Sequence, residues 1–251
     1  MIRTANINIL EGSSVTIYAG RESTAFPLYR TYDRDINRNA KILPSTVGSP
    51  TVPLTEVRIN TTSTKNVDML MFPHGHNLSG MEVYLWGSTN SSFAGYTVVS
   101  TFTPNSTNST GTTFSECNYP YWSIHFATTS ATVELGEIFL TKTYTWERDP
   151  IVPTGAIDDV FNVENLQTSG GYDRFLEMGT AKKKRTYQVI CENAQATSIE
   201  SLNTNWGGKK PFWLYDHTGK WIYGKLSSPI NERCEIKDQL YYFDFDFLEV
   251  I

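Results

Sequence analysis

The chain reads as a mainly β protein of two domains, and three observations carry that reading. Of its 251 residues, 13% are aromatic and 39% hydrophobic. They are interleaved with many Thr, Ser, Asn and Gly, the mix that β-branched and aromatic strands joined by polar turns produce. Short apolar runs recur between turn-rich segments through the first half, the spacing of a β-sandwich. Finally, Val133-Glu134-Leu135-Gly136-Glu137-Ile138-Phe139-Leu140 is followed by Trp146-Glu147-Arg148-Asp149-Pro150, a closing strand running into a linker. The length suits two modest cores. The expected division is a β-sandwich over 1–148, a linker over 149–157 and a smaller β-domain over 158–251.

The elements follow in order. Residues 6–10, 15–19, 57–60, 67–72, 81–86 and 96–102 have strand character, separated by Gly- and Pro-containing segments. The polar run 104–113 is expected to be a surface loop, and 121–127 and 132–140 complete the sandwich. Two prolines and a glycine within 147–157 mark the linker. Beyond it, residues 185–191 form a strand that follows Lys182-Lys183-Lys184. Ile199, Leu202 and Trp206 fall at spacings of three and four on one helical face, and Gly207-Gly208 supplies the stop. Residues 211–215 and 221–226 are strands. In Tyr242-Phe243-Asp244-Phe245-Asp246-Phe247 the period is two, so the phenylalanines share a buried face and the aspartates a wet one.

Composition removes several classes of function. A net charge of −5 opposes a broad nucleic-acid-binding surface, which is basic. Residues 1–10 lack the basic and apolar regions of a signal peptide, and no run of 18 apolar residues offers a membrane span. Cys117, Cys191 and Cys234 are odd in number and far apart, unlike disulfide frameworks or zinc sites. Buried free thiols and assembly in a reducing cytoplasm are expected. Asn-x-Ser/Thr triplets at Asn60, Asn77, Asn90, Asn105 and Asn108 are chance products of a Ser/Thr-rich chain.

Five groups are candidates for chemistry. His74-Gly75-His76 could direct two imidazoles at one ion from a strand, but lacks identifiable third and fourth ligands; a polar turn after 69–72 competes. Asp33-Arg34-Asp35-Ile36-Asn37 imitates the start of a calcium loop, with Arg38 where Gly is needed and Pro44 where a bidentate Glu is needed. Lys182-Lys183-Lys184-Arg185 reads as a solvated strand entry that discourages edge pairing, or as a contact with an acidic neighbouring subunit. Asp216-His217, with Ser227 and Ser228, holds two ingredients of a hydrolase triad without a nucleophile elbow. The competing reading makes Asp216-His217-Thr218-Gly219 the turn of a hairpin. Trp86, Tyr119, Tyr121 and Trp122 could stack on sugar rings, or lie in the core. There is no phosphate loop or dinucleotide fingerprint. No catalytic, metal or cofactor site is therefore assigned.

Several segments resemble known families. Leu28-Tyr29-Arg30-Thr31-Tyr32-Asp33-Arg34-Asp35 is similar to the early loop of discoidin-like, galactose-binding-like jelly rolls. The run from Val67 through Gly80 looks like the strand and turn that follow, and Met81-Glu82-Val83-Tyr84-Leu85-Trp86-Gly87-Ser88 resembles the next strand. Tyr121-Trp122-Ser123-Ile124-His125-Phe126 and Leu135-Gly136-Glu137-Ile138-Phe139-Leu140 match the closing strands, so the resemblance spans about residues 28–146. Lys184-Arg185-Thr186-Tyr187, the short helix, Pro211-Phe212-Trp213-Leu214-Tyr215-Asp216 and the alternating C-terminal strand resemble the ring-forming β-domain of siphophage distal tail proteins. Domain order departs from that family, because the sandwich comes first.

The resemblance implies a non-catalytic structural component of a phage tail tip. It would form a homo-oligomeric ring or adaptor between tail tube, hub and fibre proteins by heterologous contacts. The sandwich would sit outside as decoration, fibre anchor or weak binder of host-surface glycans. The alternative is a carbohydrate-binding module used in host adsorption. The fold class is thus mainly β: a galactose-binding-like jelly-roll sandwich followed by a smaller, distal-tail-like β-domain with one short helix.

Overall fold

A computed structural model describes residues 3–12, 16–19, 22–33, 35, 37–44, 55–128, 131–146, 157–160, 163–167, 173–177, 182–192, 196, 199, 202–203, 210–216, 218–236 and 240–250. The chain is built mainly of β-strands, as composition predicts, and divides into two compact units. One is Ala5–Tyr144; the other joins Met1–Thr4 to Thr145–Ile251. The first four residues, expected in the first domain, therefore count with the second. The expected linker lies outside the described residues apart from Ile157, which opens the strand Ile157–Val160.

The first unit is a sandwich of unequal sheets. Its large sheet runs Thr16–Ala19, Thr55–Phe72, Thr110–Phe126, Val83–Ser88, Thr97–Phe102, and Phe139–Thr141 also pairs with Thr55–Phe72. Ala40–Ile42 and Val133–Leu135 form the small sheet. Period-two alternation fills the interior. Val57, Ile59, Val83, Leu85, Trp122, Ile124 and Phe126 of the large sheet pack with Ile42, Val133, Leu135 and Leu140.

Several expected boundaries move. Residues 57–60 and 67–72 belong to one strand of 18 residues, Thr55–Phe72. Its polar middle bulges out of the ladder with Thr110–Phe126, whose register shifts between Asn60 and Lys65 and again between Val67 and Met69. Thr62 there has φ +57°, and the buried Thr61 hydroxyl reaches the carbonyl of Pro120 at 3.0 Å. The expected loop 104–113 ends early, because Thr110 already opens a strand. Residues 6–10 are not a strand. Asn8 caps a 3-10 turn, Ile9–Glu11, by accepting from the Leu10 N–H, and its amide donates to the carbonyl of Ile138 at 2.7 Å. The expected strand 132–140 divides into Val133–Leu135 and Phe139–Thr141. Between them Glu137 is buried and the Ile138 N–H donates to Thr31.

The second unit is built on an eight-stranded sheet in the order Tyr144–Thr145, Arg3–Ala5, Phe212–Tyr215, Trp221–Leu226, Leu240–Glu249, Lys182–Glu192, Ile157–Val160, with Asn231–Ile236 also pairing with Leu240–Glu249. The alternation at its C-terminus appears as predicted. Phe243, Phe245 and Phe247 are buried with Tyr187, Val189 and Phe212, while Asp244 and Asp246 receive hydrogen bonds from Gln188 and Thr186. Ala196, Ile199 and Leu202 are helical and buried in the same core; Trp206 and Gly207-Gly208 lie outside the described residues. A separate hairpin, Val163–Gln167 with Asp173–Glu177, pairs with no other strand among the described residues.

Candidate functional site

The face of the large sheet that points away from the core follows from strand parity. Val83 and Leu85 point inward, so Tyr84 and Trp86 point out; Trp122 and Ile124 point inward, so Ser123 and His125 point out. The register sets Arg58, Ser123, Trp86 and Val98 in one row across four strands, and Glu56, His125, Tyr84 and Thr101 in another.

Over this face folds the segment between Ser88 and Thr97. Asn90 organises it: its side-chain oxygen accepts from the Ser92 N–H and hydroxyl, both at 2.9 Å, and its carbonyl accepts from the Phe93 N–H. Phe93 and Gly95 have positive φ, +57° and +78°, which turn the chain back toward the sheet. The result is a three-ring stack. Tyr96 lies parallel on Trp86, with 3.9 Å between centroids and 8° between planes, and His125 lies against Trp86 at 3.7 Å. Trp86 is only 7% exposed whereas Tyr96 is 41% exposed. The outermost aromatic surface is therefore that of Tyr96.

Charged groups flank the stack. Arg58 pairs with Glu56 at 2.8 Å and lies over the Phe93 ring at 5.4 Å. The Ser123 hydroxyl donates to Glu56 at 3.4 Å. His125 is 2% exposed, and its Nδ1 stands 3.8 Å from Glu56, too far for a hydrogen bond. Burial, aided by the Arg58 charge, pushes the His125 pKa down to about 3, so the ring is neutral. Neither His125 nitrogen nor Trp86 Nε1 has a hydrogen-bond partner among the described residues.

Of the four aromatics proposed for sugar stacking, only Trp86 belongs to this stack. Trp122 is wholly buried, and the half-buried Tyr119 meets it edge-on at 5.4 Å. Tyr121 is half-buried. Tyr96, His125, Glu56 and Arg58 were not selected from sequence. The parity of their strands was a usable signal for His125, Glu56 and Arg58; nothing local marked Tyr96.

The other candidates are absorbed by local structure. His76 is buried; its Nδ1 accepts from the Leu78 N–H at 3.2 Å, so Nε2 carries the proton given to Asn108 O at 2.8 Å. With Gly75 at φ +102°, the pair shapes a turn. Asp33 accepts from the Asp35 N–H, and Asp35 accepts from the Asn37 N–H and pairs with Arg38 at 3.2 Å; Arg34 and Ile36 lie outside the described residues. Lys182–Lys184 register opposite Val160, Asp159 and Asp158 of the same chain, and Lys184 pairs with Asp246 at 2.7 Å. Asp216 joins Phe212–Tyr215 to Trp221–Leu226 as the hairpin reading predicts. One of its oxygens accepts from the Thr218 and Lys220 N–H groups and the other pairs with Arg185 at 3.1 Å. Both of its oxygens are thus engaged in holding the turn and Arg185; His217 lies outside the described residues. Among the described residues, no group of three or more His, Cys, Asp or Glu side chains is placed to hold a metal.

No family model and no curated protein matches the chain. Similar solved structures include a CBM32 domain, CBM32-6, of a family 89 enzyme produced by Clostridium perfringens, at 13% identity and TM-score 0.42, covering 54% of this chain and 99% of that one. The CBM32-1, CBM32-2 and M60 catalytic domains of Clostridium perfringens ZmpB match at 17% and 0.45, covering 55% of this chain but only 14% of that one. CBM32-1 from a family 31 glycoside hydrolase of Clostridium perfringens matches at 12% and 0.41, covering 52% and 95%.

Proposed function

We propose that this protein binds carbohydrate through the outward face of its first unit, as a non-catalytic recognition module used in host-surface adsorption. The observation that carries the reading is the parallel Tyr96–Trp86 stack beside the Arg58–Glu56 pair. Pyranose rings are held by aromatic faces that meet their C–H surfaces, together with a few fixed polar groups for hydroxyls. Both chemistries stand side by side here. Hydrolysis by paired carboxylates requires two acids about the bond to be broken; here Glu56 is tied to Arg58 and Ser123, and the other carboxylate at this face, Glu82, is held by the Tyr84 hydroxyl.

The test is a glycan-array screen of the full chain followed by calorimetry on the sugars retained. Retention lost in Trp86→Ala, in protein that keeps its native circular dichroism, supports the reading. No retained glycan, or retention indifferent to Trp86→Ala, refutes it.

A second reading, an assembled component of a phage tail tip, is favoured by the hairpin Val163–Gln167 with Asp173–Glu177. A two-stranded hairpin alone is marginal in water, so one that pairs with no other described strand suits completion by a neighbouring copy. Closed rings in negative-stain images and sedimentation would support ring or adaptor assembly. A monomer at every concentration, with or without purified tail tube, would count against it.

A further inference from the structure

Trp86 presents a combination that its own neighbours leave incomplete. Its indole meets two rings, the neutral His125 at 3.7 Å and 38° and the parallel Tyr96 at 3.9 Å and 8°. Its Nε1–H is buried, with the residue 7% exposed, and no acceptor among the described residues reaches it. A buried N–H without an acceptor is costly; Trp122 and Trp213 also lack one for Nε1, but both are wholly buried, whereas Trp86 lies under the exposed ring of Tyr96. The cover is slight. Tyr96 comes from an exposed segment rather than a strand and is 41% exposed itself.

We propose that Tyr96 occupies the ligand's place. A pyranose ring displaces Tyr96 and stacks on the face of Trp86 that Tyr96 now covers. A hydroxyl oxygen of the adjoining sugar, beyond the edge of the indole, accepts from Trp86 Nε1–H in the plane of the ring. The stack makes the substitution close to isosteric, since a sugar ring packed on an indole takes up the space of the phenol it replaces. His125 is a positioning residue that fixes the plane of Trp86 from beneath. Being neutral, it adds no charge that a sugar would have to solvate. Arg58 and Glu56 lie toward the far end of the same face, because Arg58 is two strands from Trp86 in its row. At about 4.8 Å between strands, that separation is on the scale of a second pyranose. The ligand class is therefore a short oligosaccharide, entered through one ring on Trp86.

This inference rests on the glycan-binding reading, and one experiment separates the two. The full chain is labelled with 15N, the Trp86 indole resonance is assigned by its loss in Trp86→Phe, and wild type, Tyr96→Ala and Tyr96→Phe are titrated with methyl galactopyranoside and with N-acetylglucosamine. Removing the competing ring should tighten binding roughly fivefold in Tyr96→Ala, the scale of one aromatic stack, with the Trp86 indole N–H shifting on titration. Tyr96→Phe, which keeps the cover, should bind like wild type. Weaker or unchanged binding by Tyr96→Ala, with wild type binding, overturns the displacement and leaves the glycan reading standing. Absence of binding by both overturns the two together. The remaining five indole resonances of the six tryptophans report in each variant that the fold is kept, and if Tyr96→Ala fails this check, Tyr96→Leu takes its place under the same outcomes.

Discussion

Replacing His125 with Phe should flatten the acid dependence of the first unit's stability. His125 is 2% exposed, and its pKa is pushed down to about 3 in the folded chain, whereas an unfolded histidine titrates near its usual 6.5. Between those values the unfolded chain holds one proton more than the folded one. Stability is therefore full above the unfolded pKa and falls as pH drops through it, reaching its floor near the folded pKa. The slope for one proton is about 1.4 kcal/mol per pH unit and acts below the unfolded pKa, so lowering the pH from about 7.5 to about 4.5 should cost roughly 3 kcal/mol through this residue alone. One other group of the first unit pulls the same way: His76 has its pKa lowered mainly by burial. It is common to the two proteins and cancels in the difference. Phe keeps an aromatic ring beneath Trp86 and cannot titrate. The assay is urea unfolding of wild type and His125→Phe across that pH range, read on the first unit's transition. Parallel profiles, with no gap opening toward acid, would show that His125 is protonated or solvated when folded, and the argument from burial would fail.

Three further outcomes are expected. Trp122→Ala removes a wholly buried ring from the first core and should cost about 3–5 kcal/mol in denaturant unfolding. Asp216→Ala takes from Arg185, whose side chain is 11% exposed, its carboxylate at 3.1 Å and leaves it Glu249 at 3.8 Å, and should cost about 3 kcal/mol on the second unit's transition. Of the three cysteines, Cys234 is exposed beside Arg233, Gln188 and Tyr242 in an open pocket, Cys191 is buried, and Cys117 is half-buried with its thiol pKa raised chiefly by burial. A thiol-reactive chromophore should accordingly label one site quickly in the native protein and the other two on unfolding.

Much of the fold was legible because its signals are local. The alternation at 242–247 required only that one face be buried, and the hairpin at Asp216 required only turn chemistry between two apolar runs; both appear as read. The failures share a cause in long-range pairing. Thr61 through Lys65 looks like a loop by composition, yet its strand persists because Val57, Ile59 and Val67 on either side are fixed in one core. Residues 6–10 alternate like a strand. Asn6 and Asn8 are nevertheless buried at 4% and 3%, and Asn8 is committed to Leu10 and Ile138, more than a hundred residues apart. For the candidate site, Trp86 was visible as an aromatic but not as a covered one. Its cover arrives from a segment turned by the positive φ angles of Phe93 and Gly95, and no periodicity carries that information.

The two outward sheet faces differ in what they can offer a ligand. In the second unit, Asp244 accepts from Gln188 and Arg233, and Asp246 from Thr186 and Lys184. Groups already satisfied by one another must be separated before they bind anything else, and that separation returns most of what a new contact would supply. In the first unit the costs run the other way. On the proposed displacement, Trp86 Nε1 has no bond among the described residues to lose, and the ring over it would give up a stacking contact that a sugar replaces with another. The exchange is closely balanced until the new hydrogen bond forms, and that bond then falls wholly to the ligand. Recognition therefore belongs on the face with unfinished chemistry, while the finished ladder of the second unit is suited to holding its own sheet together.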